Sequence, residues 1–163
     1  VGLEPSCVSV FKEEMLNFFP GHENARRLAA NITMLSEFLV KEGLEDKMPK
    51  LKAKAKLHQH CHHKSVLNNE GELKLMQTIG LDLHQIDSGC CGMAGSFGFE
   101  EENYEVSLAC GERRLIPEVE SADKDTLIIA DGFSCREQIK DMSNVHALHT
   151  AEVLQLAIKN LKK

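Results

Sequence analysis

Three short apolar segments, residues 54–59, 81–86 and 126–130, each run into a loop that carries cysteine. Segment 81–86 alternates apolar and polar residues, as a half-buried strand does. Segment 126–130 is apolar almost throughout, as a strand covered on both faces is. Helical periodicity fills the stretches between them. Residues 7–19 carry a loose helical pattern. Residues 25–41 read as one helix with Leu28, Ile32, Leu35, Phe38 and Leu39 on a single face and Gly43 as its C-cap. Residues 68–79, 101–115, 136–142 and 150–161 read as further helices, and residues 145–148 as a short strand. Residues 1–3 look like the end of a strand that Pro5 breaks, and 45–56 is a charged surface loop containing Pro49. Alternating strands and helices predict an α/β fold: a mostly parallel sheet with helices on its faces. No internal linker divides the chain.

In such a sheet the exit loops of parallel strands open on one edge, where sites form. Cys7, Cys61, Cys90, Cys91 and Cys135 all follow a predicted strand, so they can meet there without any CxxC spacing. Helices expected to begin just after Cys7, Cys91 and Cys135 would aim their N-termini at the site and favour thiolates. Gly89, Gly92 and Gly95 would let backbone N–H groups approach the sulfurs, and such hydrogen bonds tune a reduction potential. Cys110 falls mid-helix and reads as a packing residue.

Composition narrows the chemistry. The chain has 163 residues, 42% hydrophobic and 27% charged, with formal charge −6, no Trp and one Tyr. An acidic surface with so few aromatics argues against nucleic acid as a partner. No apolar run approaches the ~20 residues of a membrane span. Six cysteines and eight histidines without a secretion signal read as metal or redox chemistry before disulfides.

Five cysteines on one edge exceed the four thiolates that a cubane cluster needs. A tetrahedral zinc site of Cys61, Cys90, Cys91 and Cys135 uses the same donors. So does a metal-free thiol switch built on vicinal Cys90 and Cys91. A Cys–His nucleophile at Cys61 or Cys91 lacks an evident orienting acid. In His58-Gln59-His60-Cys61-His62-His63, His60 and His62 are candidates to hydrogen-bond the ligands. Lys64 and Arg136 flank two of the loops, as surface residues or as counter-charges. The Gly-rich loop after Ile86 has neither GxGxxG spacing nor a Walker lysine. Glu4-Pro5-Ser6-Cys7 and Gly132-Phe133-Ser134-Cys135 form a weak internal echo.

His60-Cys61-His62, Cys90-Cys91-Gly92 and Ser134-Cys135, in that order, resemble the cysteine-rich CCG domain. That domain occurs in heterodisulfide reductase, in the iron–sulfur subunit of glycolate oxidase, and in related glycerol-3-phosphate and lactate oxidation proteins. Residues 4–7, 88–98 and 130–136 are similar to the C-terminal iron–sulfur part of fused FAD-linked oxidases of the D-lactate and D-2-hydroxyglutarate dehydrogenase type. The likeness implies one Rossmann-like CCG repeat, with helices on both faces of its sheet, over residues 21–163. Residues 1–20 would be the tail of a preceding repeat, in a C-terminal fragment of a larger protein. It implies Cys61, Cys90, Cys91 and Cys135 as ligands, Cys7 as a further one, and His60, His62 and Gly92 around them. Gly132 stands where many relatives have the first cysteine of a closing CxxC, so this repeat alone does not imply a five-cysteine site.

The function implied is electron transfer through a [4Fe–4S] cluster, with zinc as the alternative metal. FAD would sit on a missing upstream domain that oxidises a D-2-hydroxy acid. The partners implied are that domain, the first repeat, and an acceptor such as a quinone, a cytochrome or another carrier. The expected location is the cytoplasm, or the inner face of a membrane as a peripheral protein.

Overall fold

Side-chain alternation along the strands sets the layers of the structure, a computed structural model that describes residues 1–161. In β1 (Lys54–Leu57), Ala55 and Leu57 are buried on one face while Lys56 turns to the other. β2 (Asp82–Gln85) and β3 (Leu127–Ile129) flank it in the order β2-β1-β3, and both pairings are parallel. Lys56 is paired with Ile128 and Leu57 with Ile129, which keeps the two faces in register across the sheet.

Each face carries helices. Ala55, Leu57 and Ile129 form one core with Leu75 and Met76 of α6 (Glu70–Thr78) and Val153, Leu154 and Ala157 of α10 (Thr150–Asn160). Leu35 and Leu39 of α4 (Leu35–Lys41) pack against that core. Ile128 forms a second core with Leu115, Ile116 and Val119 of α8 (Leu115–Glu120) and Ile139 of α9 (Phe133–Ser143). Lys56 reaches under α8 to the Glu118 carboxylate at 2.8 Å and its carbonyl at 2.6 Å, so a lysine on a central strand is fully occupied.

The chain leaves β1 through α5 (Cys61–Ser65) toward the first face and leaves β3 into α9 on the second. Exits that diverge from adjacent strands open a crevice at the carboxyl ends of β1 and β3. Three N-terminal helices, α1 (Pro5–Lys12), α2 (Glu14–Phe18) and α3 (Glu23–Asn31), lie to one side, with Val8 of α1 packed against Met34 and Leu67. Among the described residues, no helix is long and apolar enough to cross a membrane.

Several expected elements differ. The helix expected over 25–41 is broken at 32–34. There Met34 forms a parallel bridge with Gly2, and the Glu37 carboxylate accepts from Thr33 Oγ1 at 2.6 Å and Met34 N at 3.2 Å, starting α4 afresh. The first residues therefore pair through Gly2 alone and not with the main sheet. The helix expected over 101–115 is a 3₁₀ turn (Glu101–Asn103), then α7 (Tyr104–Glu112), and a separate α8 follows. Pro117 lies in the first turn of α8, where no N–H partner is lost. The strand expected at 145–148 reduces to one bridge between Leu148 and Ile129. The αL cap at Asn144 and the N-cap at His149 leave no room for a longer ladder. Finally, α9 starts at Phe133, three residues before the expected start, so Cys135 lies inside its first turn.

Candidate metal centre

The three strand exits bring four cysteines together. Cys61 opens α5 after β1, Cys90 and Cys91 lie in the loop after β2, and Cys135 is the third residue of α9 after β3. Cys61, Cys90 and Cys91 line one cavity with His60, and Cys135 Sγ and the His60 ring both lie against Gly132. All four cysteines are free thiols; Cys91 and Cys135 are buried, at 3% and 2% exposed, and Cys61 and Cys90 are half-buried. A cavity of about 510 Å³ opens beside Cys61, Cys90 and Cys91, and Glu4, His60 and Phe133 also line it. Cys90 is a wall of a second recess too, shared with Cys110, Arg113 and Arg114. Cys7 is exposed on α1 and does not line the cavity, although its neighbour Ser6 does.

The four thiols are shifted in opposite directions. The Cys61 thiol, and then the Cys91 thiol, hold Cys90 far below the ordinary thiol range. The Cys91 thiol, and then His58, do the same for Cys135. Cys61 and Cys91 are correspondingly pushed up, each by the neighbour it stabilises and by burial. The Gly92 N–H donates to Cys90 Sγ at 3.4 Å. Gly92 has φ +103°, and it is buried where a Cβ would meet the Ser107 carbonyl oxygen at 2.1 Å, so only glycine fits.

The helices expected to begin just after Cys7, Cys91 and Cys135 are placed differently. Cys91 runs on into an irregular loop, while Cys61, Cys135 and Cys7 each occupy the first turn of a helix. The echo between residues 4–7 and 132–135 is a real likeness of placement: each cysteine is the third residue of its helix. Glu4 joins the two corners: its carboxylate caps α1 by accepting from the Ser6 N–H at 3.4 Å, accepts from Ser6 Oγ at 3.0 Å, and accepts the Phe133 N–H of α9 at 2.7 Å. Nothing in sequence spacing foretells that contact.

The histidines divide by role. His60 Nδ1 accepts from the His62 N–H at 3.1 Å, capping α5, and lies 3.9 Å from Cys61 Sγ. Its Nε2 therefore carries the proton and meets Ser6 Oγ at 3.2 Å. His62 faces Ser9 Oγ at 3.0 Å. Lys64 donates to the Ser88 carbonyl at 2.6 Å, and Arg136 to the Ala130 and Asp131 carbonyls at 3.0 and 2.6 Å. Both cations brace the exit loops. Gln138, unmarked in sequence, ties the Cys91 carbonyl to the Ser107 carbonyl and hydroxyl at 3.1 Å each.

His63 turns from the thiols into the interior, with Nδ1 3.4 Å from Glu72 Oε2 and both side chains fully buried. Burial, and next Asp131, push the Glu72 carboxyl up to about 8, and burial pushes His63 down, so the pair is neutral at pH 7. A raised carboxyl pKa leaves stability intact below the ordinary value of 4.5 and erodes it as pH rises from there through about 8. Glu72→Gln should therefore match the parent in urea unfolding at pH 5 and exceed it at pH 9. Equal midpoints at pH 9 would show that Glu72 carries no such proton.

No family model matches this chain, and no solved structure matches it. Curated relatives do. D-2-hydroxyglutarate dehydrogenase of Pseudomonas putida is 29% identical over 156 residues, covering 94% of this chain and 15% of that protein. One subunit of the anaerobic glycerol-3-phosphate dehydrogenase of Escherichia coli K12 is 33% identical over 118 residues, covering 72% of this chain and 29% of that one. Lactate utilization protein A 2 of Bacillus cereus is 31% identical over 163 positions, covering 91% of this chain and 66% of the relative. The chain thus spans only a minor part of the two dehydrogenase proteins, and it is a distant homologue of segments of D-2-hydroxyglutarate dehydrogenase, of an anaerobic glycerol-3-phosphate dehydrogenase and of a lactate utilization protein.

Proposed function

We propose that this chain is an iron–sulfur electron-transfer domain of an FAD-linked dehydrogenase acting on a D-2-hydroxy acid. In this reading Cys61, Cys90, Cys91 and Cys135 hold a [4Fe–4S] cluster. The observation that carries it is the convergence of these four cysteines from three separate strand exits around one cavity. The donor set fits the group: four free cysteines, the number of thiolates that a cubane cluster takes. Among the described residues, no three His, Cys, Asp or Glu side chains are grouped to hold a single ion.

When bound, such a cluster takes up and releases single electrons. The protein's residues supply the setting. Cys91 and Cys135 face the buried core, while half-exposed Cys61 and Cys90 leave an edge toward the cavity, where a redox partner can approach. The first turns of α5 and α9 favour anionic sulfur. The upstream FAD domain, a first CCG repeat, and a quinone, cytochrome or other acceptor complete this reading. It places the chain in the cytoplasm, at the inner membrane face if the acceptor is a quinone. Cys7, exposed on α1, would serve a contact with that preceding repeat.

Iron, zinc and acid-labile sulfide per chain, measured on protein purified without oxygen, test the proposal. About four irons and four sulfides are expected, the cubane stoichiometry. One zinc per chain without labile sulfide would overturn it in favour of a structural metal domain.

A further inference from the structure

Between α7 and α9 lies a further cavity, of about 460 Å³, within the size range of small-ligand sites. Helical spacing builds its walls. Tyr104, Leu108 and Glu112 follow one another at four-residue steps along one stripe of α7, and Gln138, Asp141 and Met142 share one face of α9. Phe99, at the end of a 3₁₀ turn (Phe97–Phe99), adds an aromatic ring to the lining. Glu112 and Asp141 are exposed carboxylates, and among the described residues neither is in an ion pair. No lysine, arginine or histidine lines the cavity. Gln138 is only 4% exposed, and its amide has a fixed sense. Its Nε2 donates to the Cys91 and Ser107 carbonyls at 3.1 Å each, which turns the amide oxygen away from both. Among the described residues, nothing donates to that oxygen.

We propose that this cavity is a binding site for an aliphatic ammonium, of the kind that a lysine side chain or a free alkylamine carries. An ammonium has three donors and no acceptor, which matches in number the two carboxylates and the Gln138 oxygen. Its charge complements the unpaired Glu112 and Asp141, and the faces of Phe99 and Tyr104 attract a cation. Leu108 and Met142 offer apolar surface to a methylene stem. An anion would meet two carboxylates with no counter-charge, and a wholly apolar ligand would leave the Gln138 oxygen buried and unpaired. The site needs no metal and stands apart from the cluster reading.

Tyr104 is the only tyrosine of a chain without tryptophan, so ultraviolet fluorescence reports from this cavity alone. The full chain should be titrated with n-butylammonium and with a blocked glycine peptide carrying a single lysine. Saturable heat by calorimetry, with a matching change in Tyr104 fluorescence, is expected. Pentanoate, with a similar stem and the opposite charge, should give neither. Glu112→Gln combined with Asp141→Asn should weaken binding about tenfold or more. Phe99→Leu, which keeps both charges, should weaken it about threefold. All three side chains are exposed, so these variants keep the fold. Tighter binding of the peptide than of the free amine assigns the site to a partner's lysine, and equal or weaker binding assigns it to a small amine. No saturable heat with either cation overturns the proposal, and so does heat without a change at Tyr104. Affinity that survives both variants unchanged overturns it as well, because the cation then sits elsewhere on the surface.

Discussion

Gly92→Ala is expected to destabilise the chain by about 3 kcal/mol or more, since it combines backbone strain with overpacking against a fixed group. The residue sits at φ +103°, which an L side chain rarely adopts. The added carbon would also lie 2.1 Å from the Ser107 carbonyl oxygen and 3.1 Å from Gln138 Nε2. A backbone carbonyl cannot swing aside as a side chain can. Either α7 retreats or the loop carrying Cys90 and Cys91 shifts. Both movements break the Gln138 link between Cys91 and Ser107. The urea midpoint should fall sharply, and iron content with it. Gly95→Ala is the control. Gly95 has φ +58° in the same loop but nothing within 4 Å of an added carbon, so it should cost only the αL penalty of about 1–2 kcal/mol. Equal losses at the two positions would mean that backbone conformation, and not the contact with α7, governs the loop.

That loop shows where sequence reasoning reaches and where it stops. Segments 54–59, 81–86 and 126–130 are legible as strands because a buried strand has to be apolar on its covered faces, and β1, β2 and β3 lie within them. Vicinal cysteines among glycines are legible as a site because packing alone does not call for them. Helix breaks are another matter. Residues 25–41 keep a helical period throughout, and what interrupts them is a bridge from Met34 to Gly2, more than thirty residues away. The period therefore records burial, not continuity. The supports of the site are the least legible. Glu4 caps a helix that begins 129 residues later, and Gln138 reaches two carbonyls on other elements. Each is identified by what it touches, and only the fold supplies that.

If the proposed cluster is bound as read above, Cys135→Ser should strip it, and Cys7→Ser should leave it in place. Cys135 is 2% exposed, fixed in the first turn of α9, and interacts with the Cys91 thiol. Serine fits the same space. Its hydroxyl does not ionise at neutral pH, so it cannot replace the thiolate that binds iron. Iron should fall from about four per chain to a small fraction of that. The metal-free protein should unfold in urea near the parent's metal-free midpoint, because the change in volume is slight. A folded chain without iron is then a chemical loss and not a structural one. Cys7 is exposed on α1, outside the cavity, so its replacement should change neither iron content nor spectrum. Cys110→Ser tests the second recess, where Cys110 shares a wall with Cys90. If Cys110 only packs, iron content stays at the parent level. Loss of iron from Cys7→Ser with Cys135→Ser still loaded would reverse the assignment, moving the centre from the strand exits to the N-terminal helices. The two variants therefore separate a centre built by the parallel sheet from one built beside it.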